Sequence, residues 1–292
     1  MSIRILLFYK YVPIDDPVKF KEQHLTTCKQ LRLLGRIIVA PEGINGSVSG
    51  TEEQVTAYRR VLREDPRFRD ITFKEDEGIS HPFKKMMIKV KKEIVNFGVP
   101  VDLRNTGEQL TPQEFLELYS KNEDVVIVDA RNEYETRVGK FKNALTMPIQ
   151  TFREFPKEAL EVLKEKKDKK IVMYCTGGIR CEKASAYLRE QGFSNVSQLN
   201  GGILTFGKEF PDTVWEGTCF VFDKRLTSTI NGEEKPITLC ELCGVACDLY
   251  KNCANIPCDR YCVICISCEQ AFGGCCSKRC FKERLQVLQQ SV

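Results

Sequence analysis

The chain has 292 residues, 42% hydrophobic and 29% charged, with 44 Lys and Arg against 40 Asp and Glu and a net charge of +4. This composition excludes a wholly disordered, collagen-like or membrane-embedded protein, because no apolar run approaches the roughly 18–20 residues that span a bilayer. Of the 15 cysteines, 11 lie between Cys240 and Cys280, and the apolar stretch at residues 5–9 is too short for a secretory core, so the chain reads as cytoplasmic, with its thiols reduced or metal-bound rather than in disulfides.

Residues 1–95 read as alternating strands and helices. A β-branched and aromatic run at 4–12 predicts a strand. Asp16-Pro17 then opens a helix whose apolar face is Phe20, Leu25, Cys28 and Leu31. A second strand at 36–40 ends in the turn-like run Pro41-Glu42-Gly43-Ile44-Asn45-Gly46, and residues 47–49 return as a short paired strand. That turn is rich in exposed backbone, so a nucleotide contact and a plain hairpin both fit it. Thr51 and Gln54 form a helix-starting box ahead of Val55, Tyr58, Val61 and Leu62. Further strands are expected at 71–73 and 86–95, and the order β-α-β-β-α-β is that of a ferredoxin-like α+β domain.

Residues 96–110, with Gly98, Pro100 and Gly107, read as a linker. A second domain at 111–217 opens with the capping box of Thr111 and Glu114. Apolar strands at 125–128 and 171–174, a charged helix at 157–170, a helix at 182–191 and a short strand at 196–199 predict a parallel α/β sheet. The strand at 171–174 runs directly into Cys175-Thr176-Gly177-Gly178-Ile179-Arg180. Such a loop aims backbone N–H groups and a helix dipole at the sulfur, which favours the thiolate, and its glycines permit the tight curl. Arg180 is expected to add positive charge at the loop rim. A small buried cysteine at a strand end is the plainer reading. Cys181 fits either a resolving thiol or packing against the sheet, Cys28 fits core packing, and Cys219 fits a structural role.

The tail, residues 218–292, has few apolar runs and ends in a helix at about 277–290. Its Cys-x2-Cys pairs, Cys240/Cys243 and Cys265/Cys268, present two thiolates each to one tetrahedral zinc, with Cys262 a possible substitute for Cys268. Cys247, Cys253, Cys258, Cys276 and Cys280 are further candidate ligands, and the eleven thiols suffice for two four-cysteine sites with some left over. The pairing of ligands is open, and an iron–sulfur cluster is the main competitor. Lys84, Lys85, Lys89, Lys91 and Lys92, with the cluster Arg59 to Arg69 before them, fit either a phosphate-tracking RNA face or solvated surface charge.

The six-residue loop from Cys175 to Arg180 resembles that of the rhodanese family, whose cysteine carries a persulfide; Asp129-Ala130-Arg131 and Asn200-Gly201-Gly202 resemble its landmarks. Asp129 also fits a plain role, capping the next helix and pairing with Arg131. The whole chain resembles the TrhO family of rhodanese-type tRNA uridine 5-hydroxylases. The stretches 40–46, 175–184 and 199–203 and the cysteines around 250–255 carry that resemblance. It implies an N-terminal acylphosphatase-like domain, a central rhodanese domain and a cysteine-rich tail. It further implies oxygen-dependent hydroxylation of the tRNA wobble uridine, with Cys175 as the required residue, molecular oxygen as co-substrate, tRNA as partner and no membrane. No flavin or haem motif is visible, and His24 and His81 are the chain's only histidines, too few for a two-histidine iron triad. A sulfurtransferase carrying a cysteine persulfide is the alternative.

Overall fold

In the computed structural model, which describes residues 2–121, 124–211, 213–230 and 235–290, Asp16 and Thr51 cap two helices that pack on one face of an N-terminal sheet. The elements are β1 (Ile3–Tyr11), α1 (Pro17–Gln30), β2 (Leu34–Ala40), β3 (Gly43–Gly50), α2 (Glu52–Glu64), β4 (Phe73–Gly78) and β5 (Met86–Val90). The sheet order is β4-β1-β3-β2-β5. The first four strands are antiparallel and ferredoxin-like, and β5 adds to the edge parallel to β2. Alternate side chains Leu6, Phe8, Ile37, Val39, Ile44 and Val48 enter the core with Cys28, Val55, Tyr58 and Leu62 from the helices.

Three sequence expectations shift here. Only Pro41 and Glu42 form the β2–β3 turn, because Ala40 already pairs with Gly43. Gly43 has φ +146°, and a Cβ there would lie 2.0 Å from the Lys10 carbonyl oxygen, so glycine lets the two strands approach. The strand expected at 71–73 begins at Phe73, since Ile71 is buried ahead of it, and the one expected at 86–95 ends at Val90.

The central domain contains β6 (Glu108–Leu110), α3 (Pro112–Ser120), β7 (Val125–Asp129), α4 (Glu133–Thr136), β8 (Gly139–Phe141), β9 (Leu145–Thr146), α5 (Phe155–Leu163), β10 (Lys170–Tyr174), α6 (Ile179–Glu190), β11 (Val196–Leu199) and α7 (Gly202–Glu209). Its main sheet, β6-β11-β10-β7-β9, is parallel throughout. Residues 108–110, placed in the expected linker, are therefore an edge strand of this sheet. The expected 157–170 helix stops at Leu163 and tightens into a 3-10 turn at Lys164–Lys166. β10 is the central strand, and its carboxyl end is where open parallel sheets place their ligands.

The remaining segment pairs β12 (Trp215–Gly217) with β8 and carries the hairpins β13 (Cys219–Phe220)–β14 (Thr227–Ser228) and β15 (Tyr250–Asn252)–β16 (Tyr261–Val263). Helices α8 (Ile266–Ala271) and α9 (Lys278–Gln290) follow. Its core is made largely of cysteines, packed with Phe220, Tyr250, Val263 and Ile264 and against Val138 of the central domain. Among the described residues, no helix is long and apolar enough to cross a membrane.

Candidate active site

Cys175 follows β10 directly and is fully buried. Gly178 takes a left-handed φ of +100°, caps α6 and donates its N–H to Cys175 Sγ at 3.1 Å. The helix starts at Ile179, three residues earlier than the pattern suggested, so the loop itself supplies the helix N-terminus. Burial opposes ionisation of Cys175. The thiol of Cys181, the charge of Arg180 and the N–H groups of Arg180 and Gly178 outweigh it and bring the pKa down to about 5. Cys181 is correspondingly pushed well up, first by burial and then by serving as donor to Cys175.

Arg180 is not at the loop rim. It is buried in a two-pronged pair with Glu135: Nη1 contacts Oε1, and Nη2 donates to Oε2 at 2.8 Å and to Thr176 Oγ1 at 3.2 Å. A buried guanidinium needs such a partner. Glu135 was missed in the sequence, although it stands at the third helical position after Asn132, whose N–H donates to Glu135 Oε1 at 3.1 Å. That capping spacing was the available signal. Asn132, not Asp129, begins α4. Asp129 does pair with Arg131, both wholly buried, at 2.7 Å beside the end of β10, and the Arg131 guanidinium lies over the rings of Tyr174 and Trp215.

The N-terminal sheet roofs this loop. A Cβ on Gly177 would meet Leu7 at 3.1 Å, and one on Gly178 would meet the Tyr9 hydroxyl at 2.9 Å. Tyr11 donates to the Ile179 carbonyl, and Tyr9 to Glu182 Oε1, each at 3.2 Å. Burial raises the Glu182 pKa against the hydrogen bonds of Gln198 and Tyr9. Lys74 lies over the Tyr9 ring at 5.3 Å, and burial lowers its pKa against the pull of Cys175 and Glu182. Lys183 bridges Glu42 and Glu93 at 2.9 and 2.7 Å, locking the residues after β5 onto α6. None of these partners was legible from one segment alone, because each joins two domains.

Between sheet and loop lies a cleft of about 830 Å3 with Cys175, Thr176, Gly177, Ile179 and Arg180 at its floor. Asn45 and Gly46 of the expected turn line it from β3. Of the five clustered lysines, Lys91 and Lys92 line the cleft, while Lys84, Lys85 and Lys89 do not, although all five are exposed. Cys28 and Cys219 are buried, and burial pushes both up to about 12, so neither is a thiolate.

The tail gathers two cysteine quartets: Cys240, Cys243, Cys265 and Cys268, and Cys253, Cys258, Cys276 and Cys280. All four sulfurs of each lie within 4.8 Å of one another. Zinc–thiolate bonds of about 2.3 Å at tetrahedral angles put sulfurs about 3.8 Å apart. The pairs Cys243/Cys265, Cys258/Cys276 and Cys276/Cys280 stand at 3.7, 3.8 and 3.6 Å. The N–H groups of Cys265 and Cys276 point at Cys240 and Cys253 at 3.4 and 3.3 Å, as thiolate ligands require. Both quartets therefore fit a zinc ion. Cys247, expected among the ligands, joins neither. Each Cys-x2-Cys turn already finds its complement, and Cys247 instead is buried and accepts from the Leu249 N–H at 3.4 Å. Cys262 likewise does not replace Cys268; its thiol donates to the Lys251 carbonyl at 3.5 Å.

These features define a three-part protein built around a rhodanese-like domain. Family models match accordingly: a UPF0176 acylphosphatase-like domain over residues 3–94, a rhodanese-like domain over 111–209 and a rhodanase C-terminal segment over 216–281. The chain is 45% identical over 283 residues to a protein of Bacillus pumilus, covering 95% of this chain and 88% of that one. It is 45% identical over 289 residues to one of Staphylococcus saprophyticus, covering 97% and 91%. A protein of Cytophaga hutchinsonii is 44% identical over 280 residues, covering 95% and 89%. All three carry the name tRNA uridine(34) hydroxylase, and the chain belongs to their family.

Proposed function

We propose that this chain is a tRNA uridine(34) hydroxylase that places a hydroxyl on C5 of the wobble uridine, with molecular oxygen as co-substrate and Cys175 as the required residue. Relatives at 44–45% identity over nearly the whole chain support the substrate and reaction class. The observation that carries the role of Cys175 is its own setting: a buried sulfur held as a thiolate near neutral pH, at the floor of a cleft large enough for a nucleotide.

Each neighbour has a part in that setting. Gly178 and the start of α6 hold the negative sulfur by N–H groups, and Cys181 donates its thiol to it. Arg180 compensates the charge while Glu135 and Thr176 fix its plane. Gly177 and Ile179 lie under the N-terminal sheet, which keeps bulk water from the loop. Asp129 and Arg131 brace the adjoining strand end. In the tail, the two quartets would hold structural zinc, which stabilises a segment with little other core. The exposed Lys84, Lys85, Lys89 and Lys91 beside β5 offer phosphate contacts to the tRNA, and a tRNA substrate supports a cytoplasmic enzyme.

Mass spectrometry of wobble uridine in tRNA tests this, using cells that lack the family's activity and are supplied with this chain. The wild type should restore the 5-hydroxyl only in air, and Cys175→Ser should not restore it while remaining folded. Full modification by Cys175→Ser would overturn the role of the thiolate. A wild type that leaves uridine unmodified but accumulates a Cys175 persulfide would instead indicate the sulfurtransferase.

A further inference from the structure

The cleft over the thiolate is lined by an unusual set of cations. Arg36 on β2, Lys91 and Lys92 after β5, and Arg153 ahead of α5 all reach it. Among the described residues, none of the four has a carboxylate within salt-bridge distance. On the same domain Arg59 pairs with Glu75, and Arg67 with Asp65 at 2.6 Å. The one acidic residue lining the cleft, Glu93, is already neutralised by Lys183 at 2.7 Å. Like charges that converge without partners repel one another, and a concave wall focuses their field, so this arrangement calls for a polyanion. Its spread along two domains suits several phosphates of one backbone rather than a single small anion.

The cleft also has an aromatic wall. Phe222 is 53% exposed, and the Arg180 guanidinium lies 5.8 Å from its ring centroid. The ring thus stands between the buried cradle and solvent, where a planar base can stack. Cys175 lies at the floor of this cleft rather than at its rim, so a base held within a stacked loop does not reach it.

We propose that this interdomain cleft takes one nucleotide extruded from a single-stranded RNA loop, with its flanking phosphates on Arg36, Lys91, Lys92 and Arg153 and its base against Phe222. This rests on the reading of the chain as a tRNA-modifying enzyme and adds how the strand is held. It makes the N-terminal domain half of the substrate site, and it separates the cleft cations from Lys84, Lys85 and Lys89, which lie outside.

The test uses the full-length protein and a fluorescent anticodon stem-loop RNA, with affinity measured by anisotropy across a range of salt. Arg36→Gln with Arg153→Gln should weaken binding by about tenfold and flatten the slope of log affinity against log salt by about 1.4, two single-strand phosphate contacts. Phe222→Leu should weaken binding while leaving that slope unchanged, because stacking releases no counterions. Lys84→Gln with Lys85→Gln should alter affinity far less than the cleft pair. Alkylation of Cys175 should stay normal in the Arg36/Arg153 and Lys84/Lys85 variants, which reports an intact cradle. A wild type that binds the stem-loop while the Arg36/Arg153 variant binds equally well overturns this inference alone. A wild type that ignores the stem-loop at every salt concentration overturns the RNA reading and this inference with it.

Discussion

Cys175 and the tail cysteines face one physical problem, a buried sulfur that must carry charge, and the chain solves it in two ways. At Cys175 the compensation is built from the polypeptide: one guanidinium, backbone N–H groups and a neighbouring thiol. In the tail, sulfurs stand 3.6–3.8 Å apart, and the Arg260 guanidinium that bonds to Cys276 is already paired with Glu241, so a metal ion is the compensation that the geometry fits. A thiolate stabilised by fixed groups on one side keeps lone pairs free for chemistry. One of four around a metal has its charge committed, and its work is to hold the fold. The difference between reactive and structural cysteine thus lies in where the positive charge comes from.

The largest effect should come from removing the ion. Protein purified without chelator should contain about two zinc ions per chain by elemental analysis. Structural zinc sites bind with about 10–16 kcal/mol, far more than the tail's small core supplies. Stripping the metal should therefore open residues 235–290 to protease while the N-terminal and central domains resist digestion. Iron with a visible absorption band, or a tail that stays protected without metal, would break the comparison.

Removing the fixed charge at Cys175 should have the next largest effect. Arg180→Gln takes away a neighbouring opposite charge, worth about 1–3 pKa units, so the thiol should climb from about 5 toward the ordinary cysteine range. The pH profile of alkylation measures this directly. The sign for stability follows from linkage. An unfolded thiol ionises near about 8.5 and the folded one at about 5, so the native state gains stability that is complete above the first value and lost as pH falls through the second. In Arg180→Gln the lower limit of that window should move up. The substitution also leaves Glu135 buried without its partner, costing about 3–5 kcal/mol in denaturant unfolding. An unchanged alkylation profile would show that the backbone cradle alone holds the thiolate.

The two regions also differ in how far the sequence discloses them. The loop was legible because its parts are contiguous: a buried strand, Cys175, two glycines and Arg180 within six residues. What escaped were groups brought in from elsewhere, namely Glu135 from α4, Tyr9 and Tyr11 from β1 and Lys74 from β4, which no local pattern ties to Cys175. In the tail the Cys-x2-Cys spacing disclosed the ligand type and half of each partnership for the first quartet. The second, Cys253 and Cys258 with Cys276 and Cys280, is joined through spacings of four and three intervening residues that no turn rule fixes. The fold followed the same division. Capping at Asp16, Thr51 and Thr111 and the buried strands at β7 and β10 were readable, whereas the edge strand β6 looked like linker because its three residues alternate no apolar side chains.

A smaller shift should follow from Cys181. Its thiol donates to Cys175, and a hydrogen bond to a charged group contributes about 1.5–3 kcal/mol, or about 1–2 pKa units. Cys181→Ala should raise the alkylation midpoint of Cys175 by that amount, while Cys181→Ser, which keeps a donor at the same place, should restore much of it. Equal midpoints in the two variants would mean that packing, not donation, is the contribution of Cys181.

The smallest effect is expected at Cys247, and it separates a cysteine near a metal site from one in it. Cys247 lies five residues before Tyr250–Asn252 is complete, is buried, and accepts a hydrogen bond from the Leu249 N–H, yet its sulfur belongs to neither quartet. Each quartet already supplies the four thiolates that a closed tetrahedral site takes, so a ninth ligand has no position to fill. Cys247→Ala should therefore leave the zinc content at the wild-type value and lower stability only by the loss of one small buried side chain, about 1 kcal/mol. Cys243→Ser, on a more exposed residue, should by contrast release one of the two ions. If Cys247→Ala lost an ion and Cys243→Ser did not, the first quartet would be closed by Cys247, and exposure rather than Cys-x2-Cys spacing would be the better guide to which sulfurs in this tail hold metal.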